Sequence, residues 1–104
     1  MVLVRFPFSD LSATKLRPAL VLANSGRGDW ICAQITSKPY ADPNAVTLGT
    51  EDLSGGDLNR TSYVRPSKLF TASEMLFQRS VGQMIEEKRL AVVDTIISLL
   101  RGNN

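Results

Sequence analysis

The spacing of apolar residues passes along this chain from alternation, through continuous runs, to steps of three and four, and each pattern predicts its own element. Val2, Val4, Phe6 and Phe8 fall on one side of residues 2–8. That alternation predicts a half-buried strand, with Pro7 marking a sheet edge or strand end. Residues 9–14 are small and polar and read as a loop. Residues 18–23 are apolar almost throughout, as in a strand buried on both faces. A turn over 24–29 then leads into a third strand, 30–36, so that the second and third strands form a hairpin.

Further on, residues 37–44 hold two prolines and read as an irregular loop, followed by a short strand over 45–48 and a surface loop over 49–59. A strand over 60–65 is expected to end at Pro66 and to resume with Lys68, Leu69 and Phe70. Residues 75–84 alternate loosely and read mostly as strand, with a helical turn near Ser73 as the other option. In the last segment, 86–100, Leu90, Val93, Ile97 and Leu100 recur at helical spacing, widened by Val92, Ile96 and Leu99. Glu86 and Glu87 suit a helix start, and Arg101-Gly102 suits its end. Many short strands and one terminal helix predict a mostly β, α+β fold: a small, strongly curved barrel capped by that helix. Its 104 residues are expected to form one domain, 1–104.

Composition narrows the chemistry more than the fold. Twelve Lys and Arg against ten Asp and Glu leave a net charge of +2, compatible with a polyanion but weak evidence for one. No apolar run reaches membrane-spanning length and no secretory leader is visible, so no membrane partner and a cytoplasmic location are expected. Cys32 is the single cysteine and lies in an apolar run, as a small core residue would. Histidine is absent. A Ser-His-Asp triad and a His-ligated metal are thereby excluded, and neither metal nor cofactor is expected.

Three clusters carry candidate chemistry. Lys15-Leu16-Arg17-Pro18 places Arg17 at the mouth of the second strand, with Lys15 on the loop leading in, because proline holds the preceding residue extended. A guanidinium held this way can present a planar fork to a phosphate, although from this stretch alone a solvated charge flanking a core strand is the favoured reading. Thr36, Ser37 and Lys38 end the third strand, and antiparallel pairing brings Thr36 near Arg17. Their hydroxyls also suit capping of backbone donors at a strand end. Tyr63-Val64-Arg65-Pro66 repeats the Arg-Pro arrangement. Two arginines and a threonine without histidine suit RNA cleavage by the substrate's own 2′-hydroxyl, where the protein need only bind phosphate and stabilise charge. Asp10 and Asp42 are both candidates for the general base, and spacing does not choose between them.

Residues 2–8, 15–22 and 33–37, then 58–69 with Ser62-Tyr63-Val64-Arg65-Pro66, the Val81-Gly82 pair and the terminal helix, resemble in order the MazF/PemK-like toxins of bacterial toxin–antitoxin modules. The resemblance implies the SH3-like barrel of the MazF/PemK/CcdB-type toxin fold. It also implies a homodimer, and a metal-independent, sequence-specific endoribonuclease that cuts single-stranded RNA, halts translation and is neutralised by a cognate antitoxin, with which it binds DNA. Arg17 and Thr36 match the family's active-site arginine and threonine, and Arg65 the proton donor of some members. Ser67 stands where some members carry an acidic residue. The loops 9–14 and 37–44 are expected to touch the bases, so Lys15, Asp10, Ser37, Lys38, Tyr40 and Ser67 complete the expected RNA-binding set, with Tyr40 suited to stacking. The same fold family includes toxins that bind DNA gyrase and lack nuclease activity; that is the alternative reading.

Overall fold

The computed structural model describes residues 2–7, 14–39, 42–55 and 61–102, with the side chains of residues 2–7, 14–16 and 79 outside that description. The strands are β1 (Val2–Pro7), β2 (Thr14–Gly26), β3 (Asp29–Thr36), β4 (Val46–Leu48), β5 (Leu53–Ser54), β6 (Ser62–Ser73), β7 (Phe77–Ser80) and β8 (Gln83–Met84), followed by helix α1 (Glu86–Arg101). Six of them form one antiparallel sheet in the order β4-β6-β3-β2-β1-β7, and β5 and β8 form a separate pair. The curled sheet and terminal helix are the mostly β, α+β architecture expected from the sequence.

β2 and β3 form the expected hairpin, closed by a tight turn at Arg27-Gly28 with φ of 56° and 82°. Positive φ at both central residues is the twist-matched hairpin geometry, which glycine enters without strain. The backbone amide of Glu74 donates to the carbonyl of Gly28 (2.8 Å), and Trp30 Nε1 donates to Glu74 Oε2 (3.2 Å), so the 3₁₀ turn Glu74–Leu76 is tied to the hairpin end.

Alternation along β2, β3 and β6 sends side chains to two differently filled faces. Leu20, Ala33, Ile35 and Val64 pack with Leu48, Leu53, Met84 and the helix residues Val92 and Ile96. On the opposite face Ala19, Cys32 and Ala72 form a smaller cluster edged by Val21, Trp30, Phe70 and Phe77. Cys32 is wholly buried, as expected, and burial pushes its thiol above the ordinary value.

Several expectations are corrected. β2 begins at Thr14, because β1 pairs with it from Pro7↔Thr14 to Val2↔Ala19. Lys15 therefore lies in the strand, not on a loop, and Arg17 lies inside it opposite Val4. β6 does not stop at Pro66 but runs on to Ser73; a bulge absorbs the proline. Within the expected surface loop 49–59, Asp52 and Leu53 are buried, because Leu53–Ser54 pairs with β8 and Ile85 N donates to the Asp52 carbonyl; residues 56–60 lie outside the description. Over 75–84 both expected features form: a helical turn at Glu74–Leu76, where the Ser73 hydroxyl accepts from the Met75 amide, and then strands β7 and β8.

α1 forms over nearly the expected span, with Gly102 in the left-handed region accepting the chain's exit. Its inward stripe is Val92 and Ile96. Leu90, Ile97 and Leu100 remain 46%, 42% and 79% exposed, so the four-residue pattern that suggested the helix is mostly its outer face. Two apolar stripes coexist on one helix, and periodicity does not say which one meets the sheet.

Leu48→Ala is expected to destabilise the fold by about 2–5 kcal/mol, since Leu48 is fully buried and the change leaves a cavity. Leu100→Ala should stay within about 0.5 kcal/mol of the parent. Urea unfolding of both variants checks the assignment; comparable losses would mean that the outer stripe is part of the core.

Candidate active site

β3 has a partner on either side, and the polar cluster forms where its second face stops being apolar. Trp30, Cys32, Gln34 and Thr36 share that face by alternation. Across the β2 ladder Gln34 is paired with Ala19, and across the β6 ladder with Arg65. Thr36 is paired with Tyr63, which in turn faces Thr47 on β4. Continued by two residues, the Ala19↔Gln34 register brings Arg17 to the position facing Thr36, although the ladder itself ends at Ala19. Arg17, Thr36 and Arg65 thus share one face, around Gln34.

The β2–β3 ladder is interrupted between Val21 and Ala23 and between Asn24 and Gly26 without proline, but a proline stands at the two breaks that flank the polar cluster. The β2–β3 ladder begins directly after Pro18, which has no N–H to donate. On the other side, Gln34 pairs with Arg65 but Ala33 pairs with Leu69, so Pro66, Ser67 and Lys68 bulge out of β6. Pro66 is among the most deeply buried side chains. A bulge tolerates proline because no ladder hydrogen bond is lost, and it re-aims the residues beside it.

Asp42 is 3% exposed. It opens a turn in which Ala45 N donates to its carbonyl (3.1 Å) and Asn44 N to its Oδ1 (2.9 Å), with Pro43 in the position that favours such turns. Its Oδ2 accepts from Ser67 Oγ (2.7 Å) and lies 3.6 Å from Arg65 Nε. Burial alone would raise the Asp42 carboxyl. The hydrogen bonds from Ser67 and the Asn44 amide, together with the Arg65 charge, outweigh it and hold the group below its ordinary value. A buried carboxylate engaged in this way is not placed to take a proton from a substrate hydroxyl, which removes Asp42 as a candidate base.

The Thr36 hydroxyl accepts from the Lys38 amide (3.1 Å), so it does cap a backbone donor, and a hydroxyl that accepts in this way can also donate. Ser37 and Lys38 are exposed next to it, and Arg17 is exposed on the neighbouring strand. Ser67 is brought to Arg65 through Asp42. Lys15 is placed by its backbone only, and Asp10 and Tyr40 lie outside the described residues. Gln34 is absent from the candidates the sequence offers, and Tyr63 enters them only within the run Tyr63-Val64-Arg65-Pro66. The signal for Gln34 was present: along 30–36 the face Trp-Cys-Gln-Thr turns polar halfway, while Ile31, Ala33 and Ile35 stay apolar.

The sequence profile of the family described as PemK-like, MazF-like toxin of type II toxin–antitoxin system matches residues 1–100. No protein of curated function matches the chain in sequence. Among solved structures, the fold is similar to the Mycobacterium tuberculosis toxin MazF-mt6, with a TM-score of 0.71 at 17% identity, covering 97% of each chain. It is also similar to an Mtb toxin, with a TM-score of 0.65 at 20% identity over 79% of this chain and 90% of that one. An endoribonuclease from a mycobacterial species, solved with its cognate antitoxin, gives 0.65 at 16% identity over 97% and 89%. At these identities the likeness concerns the fold.

Because the folded carboxyl of Asp42 is depressed, its contribution to stability is complete above about pH 4 and is lost as the pH falls through the folded value. At pH 7 Asp42→Asn is expected to be about 1–3 kcal/mol less stable than the parent. The gap should narrow as the pH falls below about 4, because the unfolded parent takes up a proton there before the folded carboxylate does. Urea unfolding of both chains at pH 7 and pH 3 measures it, and an unchanged gap would assign the loss to packing.

Proposed function

The chain belongs to the PemK-like, MazF-like toxins of type II toxin–antitoxin systems, and from that premise we propose that it is an endoribonuclease acting on single-stranded RNA. The observation that carries this reading is the gathering of Arg17, Thr36 and Arg65 on one face around Gln34. In the proposed reaction the substrate's 2′-oxygen bonds to the adjacent phosphorus and the bond to the 5′-oxygen breaks. The 2′-hydroxyl loses a proton and the departing oxygen gains one, leaving a 2′,3′-cyclic phosphate and a 5′-hydroxyl end. Charge accumulates on the phosphoryl oxygens as the new bond forms. Guanidinium groups stay protonated at neutral pH and donate in a fixed plane, so Arg17 and Arg65 stabilise that charge and Thr36 adds a neutral donor. The protein supplies no nucleophile, which fits a site without histidine or a reactive cysteine.

Lys15, Ser37 and Lys38 extend the same region and suit phosphate and base contacts along the strand. We further propose that the chain acts as a homodimer in the cytoplasm, cuts mRNA and so halts translation, and is neutralised by a cognate antitoxin. A protein partner is supported by Leu69, Leu90, Ile97 and Leu100, apolar side chains exposed on the side of the sheet that carries α1. Among the described residues no helix is long and apolar enough to cross a membrane.

Purified protein is expected to cut single-stranded RNA in EDTA and to leave 2′,3′-cyclic phosphate ends, read by end-labelling and mass spectrometry. A 2′-deoxy nucleotide at the scissile position should abolish cutting there; continued cutting would refute attack by the 2′-hydroxyl. Arg17→Ala should lower the rate on the order of 10²–10³ with little change in thermal unfolding, because Arg17 is exposed.

A further inference from the structure

We propose that Asp42 is the positioning residue for Arg65: its carboxylate, aimed by Ser67, orients the Arg65 guanidinium toward the cluster at Thr36 and Gln34. The inference rests on the reading of Arg65 as part of the RNA site. Asp42 is remote in sequence from Arg65 and reaches it only because the turn at 42–45 lies against the β6 bulge. Its backbone is held by that turn and its Oδ1 by the Asn44 amide. One oxygen, Oδ2, accepts a hydrogen bond from Ser67 Oγ at 2.7 Å and makes an ion-pair contact with Arg65 Nε at 3.6 Å. Nε is the guanidinium nitrogen nearest the aliphatic stem, so an anchor there restrains the side chain near its root rather than at its tip. Pro66 holds the intervening backbone in the core. Arg65 is therefore restrained from its own strand and from a second segment of the chain.

Energetics favour a positional role. Removing a carboxylate from water is costly, and a buried ion pair seldom adds more stability than apolar residues of the same size would. A residue such as Asp42 is then best explained by the geometry it imposes. Displacing a charge-stabilising group by about 1 Å can reduce a rate on the order of 10²-fold without weakening substrate binding equally. Asp42 touches neither substrate nor reacting atoms in this account; it acts through Arg65.

The test compares RNA cleavage by the parent, Asp42→Asn, Arg65→Ala, the double variant of these two, and Asp42→Asn combined with Ser67→Asp. The last returns a carboxylate from the β6 side of the same contact. Asp42→Asn is expected to lower kcat roughly 10- to 100-fold with KM changed less than about twofold. It should cost nothing further in the Arg65→Ala background, and Ser67→Asp should restore most of the lost kcat. Ser67→Ala, which removes the hydroxyl that donates to Asp42 Oδ2 and leaves the carboxylate in place, should give a smaller loss of the same kind and serves if Asp42→Asn does not fold. Unchanged kcat in Asp42→Asn, or losses that multiply in the double variant, would overturn the inference. If the parent itself cuts no RNA, the nuclease reading fails separately. The Arg65 Nε–Hε NMR chemical shift then decides: it should move in Asp42→Asn and return toward the parent value with Ser67→Asp, and a signal unmoved by Asp42→Asn refutes the anchor.

Discussion

A strand paired on both edges and covered on both faces leaves few positions where a polar group can emerge, and β3 is such a strand. Its backbone donors and acceptors are committed to β2 on one side and β6 on the other, and leaving such groups unpaired in the interior is costly. Proline is the residue that interrupts a ladder without stranding a donor. Pro18 stands where the β2 ladder begins and Pro66 where the β6 ladder breaks. Each follows an arginine directly. The same backbone constraint that limits the pairing therefore places Arg17 and Arg65 on either side of Gln34 and Thr36.

The two faces of the sheet divide the work. One is filled by α1, Leu48 and Val64 and supplies most of the buried apolar surface. The other begins as a small apolar cluster at Ala19, Cys32 and Ala72 and becomes polar toward Gln34 and Thr36. A cluster of charges is tolerated there because it lies at the end of a core, where side chains such as Arg65 are only half-buried while their backbone remains rigid. Asp42 is the exception. It is buried, and it is satisfied by a hydroxyl, an amide and a guanidinium, as a charge in that position must be.

α1 shows how a helix can be over-supplied with apolar residues. Val92 and Ile96 meet the sheet, while Leu90, Ile97 and Leu100 face outward. Surface of that kind is suited to a second protein chain, and it lies beside the β6 bulge: Leu69, Leu99 and Leu100 line one groove with Pro66 and Ser67.

Read by itself, the order of residues determined most of the strands, the hairpin, the terminal helix and three residues of the polar cluster, because local periodicity and the conformational limits of proline and glycine act over a few positions. The absence of histidine likewise settled which chemistries were excluded. Tertiary structure decided the rest. Whether Pro66 ends a strand or sits in a bulge depends on whether β3 has a partner beyond it, and that partner is Leu69. Which helix stripe is buried depends on the sheet, since both stripes have helical spacing. In the sequence Asp42 is a candidate base in a loop; it is a buried, engaged carboxylate because residues 42–45 fold against residues 65–67. That contact spans more than twenty positions of chain, and no local pattern carries it.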